Sequence, residues 1–151
     1  MTVETTNDLP ALSIFDLIET DDDAIETGKW FDDVFKPDDG IRIRLRSFMS
    51  QASIKFRQNL QTKYRKYEKK GQFPDHINER MLIEQLAGVI IVDWSGIKDR
   101  DGQDIAYTPE AALMLCTKLR LFRDTVTRLA MNSDNYQPES LDTIIADAVG
   151  N

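Results

Sequence analysis

The sequence contains one stretch, residues 86–92, in which no side chain is polar. A segment that is apolar on every side must be buried on every side, so this stretch marks the centre of the core. With the apolar residues before it, it predicts a buried central helix that follows Pro74, covers about Ile77 to Asp93 and ends at Trp94. The rest of the chain has to pack around this element.

Packing has to hold the fold, because the sequence offers no cross-link. The 151 residues include one cysteine and one histidine, which exclude an intramolecular disulfide and the usual zinc ligand sets. We expect one domain with no metal and no cofactor. No run approaches the roughly 18 apolar residues of a membrane span, and the start of the chain carries acids where a signal peptide has lysines, so we expect a cytosolic protein.

The most regular strand pattern lies at residues 41–46, where Ile, Ile and Leu alternate with three arginines. Strict alternation is the period of a half-buried strand. Preceded by Lys29-Trp30-Phe31 and a turn at 37–40, it predicts an N-terminal β-hairpin with one apolar face and one arginine face.

Three further helices are expected. An amphipathic helix rich in Lys and Arg begins at Ser47 or Ser50 and runs through Lys70, with Gly71 as its C-cap. Thr108 and Pro109 open a helix that continues through about Met131, and a last helix begins near Pro138. The fold class is therefore α+β, mainly α: an N-terminal β-hairpin followed by a compact bundle of about four to five helices. We divide it into an acidic, partly flexible arm (1–27), one domain (28–135) and a C-terminal helix (136–151).

Charge is distributed in three blocks. Residues 1–40 carry 12 acids and 2 bases (−10), residues 41–72 carry 10 bases and 1 acid (+9), and the remainder carries 7 bases and 13 acids (−6), which sum to −7. The simplest interpretation is that the acidic and basic blocks neutralise each other. The alternative is that the basic 41–70 segment, with its interleaved aromatic residues, binds nucleic acid.

No arrangement of residues indicates catalysis. His76 has no nucleophile motif around it, Cys116 lies on the inward face of a predicted helix, and phosphate-binding glycine loops are missing. The acidic turn at 99–104 fails as a calcium loop because its glycine is in fourth instead of sixth place. We therefore expect a protein that is not an enzyme.

One region resembles a known family. Residues 89–115 contain an apolar segment, Asp-Trp-x-Gly-Ile, an Asp-x-Asp-Gly turn and Tyr-Thr-Pro-Glu at a helix start. This order is similar to that of the small tail assembly chaperones of long-tailed bacteriophages, although Ala111 stands where that family often has Asn. The similarity spans roughly residues 28–135 and is strongest at Trp94, Gly96, Gly102, Pro109 and Glu110. The resemblance implies a structural role for these five residues and for Asp99 and Tyr107.

The resemblance implies a function in assembly. Such a chaperone binds the tape measure protein, keeps it soluble and recruits tail tube protein, in the host cytoplasm and without remaining in the mature virion. Self-association is compatible with it. The alternatives are a nucleic-acid-binding or regulatory phage protein and a structural tail or connector subunit of the virion.

A chaperone of this kind needs an apolar groove for a helical partner. We expect it between the hairpin and the basic helix, lined by Trp30, Phe31, Phe56 and Tyr64. The other interpretation of these four aromatic residues is that they belong to the ordinary core.

Overall fold

The computed structural model describes residues 11–138, which contain six α-helices and one three-stranded antiparallel sheet. The predicted mixture of helices and strands, with helices in the majority, is confirmed. The predicted C-terminal helix falls, from residue 139 onward, outside the described residues. The helices are α1 (Ile14–Ile18), α2 (Asp22–Thr27), α3 (Gln51–Lys63), α4 (Asp75–Gln85), α5 (Pro109–Lys118) and α6 (Arg120–Met131), and the strands are β1 (Lys29–Asp32), β2 (Arg42–Leu45) and β3 (Ile91–Ser95).

The sheet has the order β1-β2-β3, with both pairs antiparallel. Ile43 of β2 lies opposite Phe31 on one side and Trp94 on the other, and this face packs on the core. The opposite face carries Trp30 and Arg44, because neighbouring strand residues point in opposite directions. Residues 33–41, nine in number, connect β1 to β2 in place of the tight four-residue turn that the sequence suggested.

The predicted central helix over Ile77 to Asp93 is wrong in its second half. The α-helix ends at Gln85, a wide π-helical turn follows over Leu86–Ile90, and the chain then extends as β3. All four residues at 89–92 are β-branched valine or isoleucine, and such side chains favour a strand. The segment is nevertheless buried as predicted, with Leu86 and Ile90 fully shielded from solvent.

Two other helices also end earlier than the sequence suggested. The basic helix begins at the predicted cap, where the Ser50 hydroxyl accepts from the Ser53 N–H, but it ends at Lys63, and Gly71 belongs to a later turn. The helix over 108–131 is divided at Leu119, whose backbone is extended (φ −114°, ψ 98°). This division lets α6 turn so that Phe122 packs on Trp94 of the sheet.

The buried side chains form two clusters. The larger cluster joins the core face of the sheet, the π-helical turn, α5 and α6, with Ile43, Leu86 and Val126 at its centre. The smaller cluster consists of Leu60, Ile77 and Met81, between α3 and α4.

None of the helices within residues 11–138 has the length and apolar character that a membrane crossing requires.

Candidate functional site

Trp94 fixes the loop that follows β3. Its side chain is buried, its Nε1–H donates to the Ile105 carbonyl at 2.7 Å, and its ring meets the Tyr107 ring edge-on at 5.1 Å. The Tyr107 hydroxyl in turn donates to the Ile91 carbonyl at 3.1 Å. Two residues of the family-like motif thus hold residues 96–107 against the larger cluster, which is an architectural role.

The other motif residues in this loop shape its turns. Gly96 has a φ of +82°, and a Cβ atom there would lie 2.3 Å from the Gly40 carbonyl oxygen, so only glycine fits. Gly102 has a φ of +80° with open space around it. The Asp99 carboxylate accepts from the backbone N–H groups of Asp101 and Gln103, which closes the turn.

Pro109 and Glu110 open α5 as predicted. The Thr108 hydroxyl accepts from the Ala111 N–H at 2.9 Å, Pro109 occupies the first helical position, and Glu110 lies in the first turn with its side chain exposed. Of the motif residues, these two contribute to a surface depression.

The four aromatic residues predicted to line one groove do not lie together. Phe31 packs on the larger cluster and meets the Tyr136 ring at 6.1 Å, whereas Trp30 lies on the other face of the sheet with the Arg42 guanidinium 4.7 Å from its ring. Phe56 contacts both clusters, and Tyr64 covers the smaller one. Only Phe56 lines a groove that also includes motif residues.

That groove, the Phe56 groove, lies between α3, α4 and α5 and has a volume of about 240 Å³. The Phe56 ring rests on Gly88 so closely that a Cβ there would lie 2.4 Å from the ring's Cζ. The groove is lined by Phe56, Glu84, Ala87, Gly88, Pro109, Glu110 and Leu113.

A second and more apolar groove, the corner groove, lies where α5 meets α6, with a volume of about 340 Å³. Two of its side chains are strongly exposed, Leu119 at 51% and Leu121 at 77%. Exposed leucines side by side are typical of a binding surface. The groove is lined by Phe35, Ile41, Ile97, Lys98, Leu115, Leu119, Leu121 and Phe122.

Sequence reasoning missed the corner groove. It depends on the extended backbone at Leu119, and no glycine or proline marks this break between α5 and α6. The available signal was the pair Leu119 and Leu121, which cannot both lie on the inward face of one continuous helix.

Cations border the corner groove. Lys98 lines it, and Lys118 and Arg120 flank Leu119 along the chain. The Lys98 ammonium pairs with Asp104 at 2.6 Å, and Arg120 lies 3.8 Å from Asp124. Both pairs are exposed, so they exchange readily with the charges of a partner.

The acidic and basic blocks of the sequence meet less than the simplest interpretation expects. Arg42 pairs with Asp32, but Arg46 donates to the backbone carbonyls of Glu26 and Val89 instead of to carboxylates. The Glu26 carboxylate accepts from the Gln51 N–H and so caps the beginning of α3. Glu26 therefore lies at the beginning of α3, away from the lysines that follow its end.

The structure places the two side chains that the sequence offered as a nucleophile and a proton-transfer group, Cys116 and His76, far apart in burial. Burial raises the pKa of the Cys116 thiol to about 12, outweighing the nearby Arg123 guanidinium, so the thiol is protonated at neutral pH. His76 is exposed on the first turn of α4. Within residues 11–138 there is no group of three or more His, Cys, Asp or Glu side chains that could hold a metal ion.

The comparison with protein families gives a match that begins after β2. Residues 49–151 match the family described as YdaY prophage protein, which includes α3 to α6 and β3 and covers well over half of the chain. No curated protein and no solved structure matches. The match confirms the predicted phage origin, and the chain belongs to the YdaY prophage protein family.

Proposed function

We propose that this protein is a phage tail assembly chaperone. It binds the tape measure protein of its own phage, keeps it soluble until tail tube protein assembles around it, acts in the host cytoplasm and is left out of the mature virion. Membership of a prophage family supports a phage role. The motif at residues 93–110, which resembles tail assembly chaperones, supports this particular role.

The corner groove is the observation that carries the proposal. It is apolar and open, and its exposed leucines lie at the break between α5 and α6 (Leu119) and in the first turn of α6 (Leu121). Covering a leucine side chain contributes roughly 1.5–3 kcal/mol, so a partner that covers Leu119 and Leu121 gains useful affinity from these two contacts. An amphipathic helix laid into such a groove is a common mode of recognition.

The groove also indicates the chemistry of the bound segment. Apolar residues at helical spacing would contact Phe35, Leu119 and Leu121, while acidic residues on the flanks of the same helix would meet Lys98 and Arg120. A long helical tape measure protein exposes apolar stripes before the tube closes around it. Binding in this mode involves no covalent step and no cofactor.

Co-expression with the tape measure protein tests the proposal. The wild-type chain should keep the tape measure protein in the soluble fraction and co-purify with it. Leu121→Glu should abolish both effects, because it places a charge in the groove. Met131→Glu is the matched control, since Met131 is also exposed on α6, at 58%, but lies at the other end of the helix.

The outcomes separate the candidates. Loss of binding in Leu113→Glu but not in Leu121→Glu would move the site to the Phe56 groove. Failure of the wild-type chain to retain the tape measure protein would overturn the chaperone function itself. Mass spectrometry of purified virions adds an independent test, because finding the chain there would make it a structural subunit.

A further inference from the structure

The segment that follows α3, residues 65–70, forms a basic end, and the acidic residues among 11–138 leave its cations without an ion pair. Helix α3 has 13 residues and is about 20 Å long, with Glu26 bound at its beginning and the lysine-rich segment after its end. Lys63 pairs with Glu84 at 2.8 Å. In the part of the chain from 11 to 138, no carboxylate lies within 4.0 Å of the side-chain nitrogens of Arg65, Lys66, Lys69 or Lys70.

A shallow aromatic pocket opens beside these cations. Its volume is about 330 Å³, and it is lined by Tyr64, Tyr67, His76, Ile77 and Arg80. The two tyrosine rings lie 6.2 Å apart, and Tyr67 is 38% exposed. The Lys66 ammonium is 5.1 Å from the Tyr67 ring centre. An exposed ring with a cation above it offers a flat surface and a positive charge at one place.

We propose that this basic end binds single-stranded nucleic acid. A base stacks on Tyr67 in the pocket, while Lys66, Lys69 and Lys70 contact the neighbouring phosphates. The combination favours nucleic acid over an acidic peptide, because a base has a flat face that a tyrosine ring can stack on and an aspartate or glutamate side chain has none. The activity goes beyond the proposed chaperone function, and its residues are not among those that line the corner groove.

Carboxylates near the pocket affect the affinity for a negatively charged strand. Glu68, Asp75 and Glu79 are exposed around the pocket, Glu84 lies behind Tyr64, and Glu79 pairs with Arg123 at 3.1 Å. Their negative charge opposes a polyanion and lowers the affinity, whereas the attraction between the lysines and the phosphates makes the complex strongest at low ionic strength and weaker as salt rises. Arg80 is the cation that lines the pocket, and it lies 3.4 Å from Glu84.

Fluorescence anisotropy of a labelled 20-nucleotide poly(dT) strand, titrated with the full chain at 20 mM and 150 mM salt, tests the proposal. The triple variant K66E/K69E/K70E should weaken binding at 20 mM salt at least tenfold and flatten the salt dependence. Tyr67→Ala should weaken it about fivefold and leave the salt dependence unchanged, because it removes stacking and no charge. The triple variant K36E/R100E/R128E is the matched control, because these three exposed cations lie outside both grooves, and it should bind like wild type.

Circular dichroism of each variant excludes unfolding as the cause of a loss. The proposal would be overturned if the wild-type chain did not bind at 20 mM salt, or if the control triple variant lost as much binding as K66E/K69E/K70E. It would also be overturned if Tyr67→Ala bound as tightly as wild type and poly-glutamate displaced the labelled strand as well as unlabelled poly(dT) does. The last outcome would instead make the basic end a site for acidic protein segments.

Discussion

The two apolar clusters differ in size and in what they support. The larger cluster contains 16 buried residues, whereas the smaller one contains three, so most of the folding free energy comes from the larger. The larger cluster lies under the motif loop and the corner groove, and the smaller one lies under the basic end. The difference suggests that a binding groove can be rigid on one side of the molecule while a charged surface on another side opens locally.

The largest effect is expected at Trp94. Trp94→Ala should reduce the free energy of unfolding by about 3–5 kcal/mol, because it leaves a cavity in the larger cluster and removes the donor to the Ile105 carbonyl. Urea denaturation followed by circular dichroism measures the change. A loss under about 1 kcal/mol would mean that the larger cluster does not dominate stability.

A matched pair of glycines tests how closely the motif loop packs on the β1–β2 connection. Gly96→Ala should cost about 3 kcal/mol, because it adds both an unfavourable backbone conformation and a contact with the Gly40 carbonyl. Gly102→Ala has the same positive φ but open space, so it should cost about 1 kcal/mol. Thermal unfolding measures the stability of both variants. Equal losses of stability would show that the contact with the Gly40 carbonyl adds no cost.

Replacing Met81 tests how much the smaller cluster contributes to stability. Met81→Ala should cost about 2–3 kcal/mol, at the lower end for buried methionine, because only Leu60 and Ile77 share its cluster. Hydrogen exchange should show faster exchange in α3 and α4 while the amides of β2 and β3 keep their protection. Equal acceleration in both regions would show that the two clusters unfold as one unit.

Replacing Glu84 should produce the smallest change in the free energy of unfolding, and the size of this change should depend on pH. Burial opposes ionisation of its carboxyl group, but hydrogen bonds from Lys63 and Tyr64 outweigh burial and hold its pKa below the ordinary value of 4.5. Its contribution is therefore complete above pH 4.5 and is lost as the pH falls through the lower pKa of the folded state.

Glu84→Gln should cost about 0.5 kcal/mol at neutral pH, because its ionic partners Lys63 and Arg80 are more than half exposed. The difference from wild type should shrink when denaturation is repeated at successively lower pH. A difference that stayed constant through the acid range would show that the charge of Glu84 is not what stabilises α3 against α4.

Local signals in the sequence predicted the beginnings of helices better than their ends. Ser50 and Thr108 cap α3 and α5 as expected, because a hydroxyl that accepts from a backbone N–H three residues later depends only on nearby residues. The helix ends at Lys63 and Lys118 depend instead on how the following segment packs, and no glycine or proline marks either position.

Two features were not predicted from the sequence, and for the same reason. They are the change from helix to strand after Gln85 and the corner groove. An apolar run such as 86–92 satisfies the burial pattern of a buried helix and of a buried strand equally well, so periodicity could not separate them. The corner groove arises only once α5 and α6 separate at Leu119. Both features are set by contacts between residues that are distant in the sequence.

Tyr136 has a consequence for how the protein is made. Its side chain is fully buried, its hydroxyl donates to the Leu45 carbonyl at 2.9 Å, and its ring lies against Phe31. Leu45 is synthesised 91 residues earlier, and Phe31 and Asp21, whose N–H donates to the Tyr136 carbonyl, are synthesised earlier still. During translation the first two strands therefore emerge with part of their inner face uncovered, and this part of the native structure closes only after Tyr136 has left the ribosome.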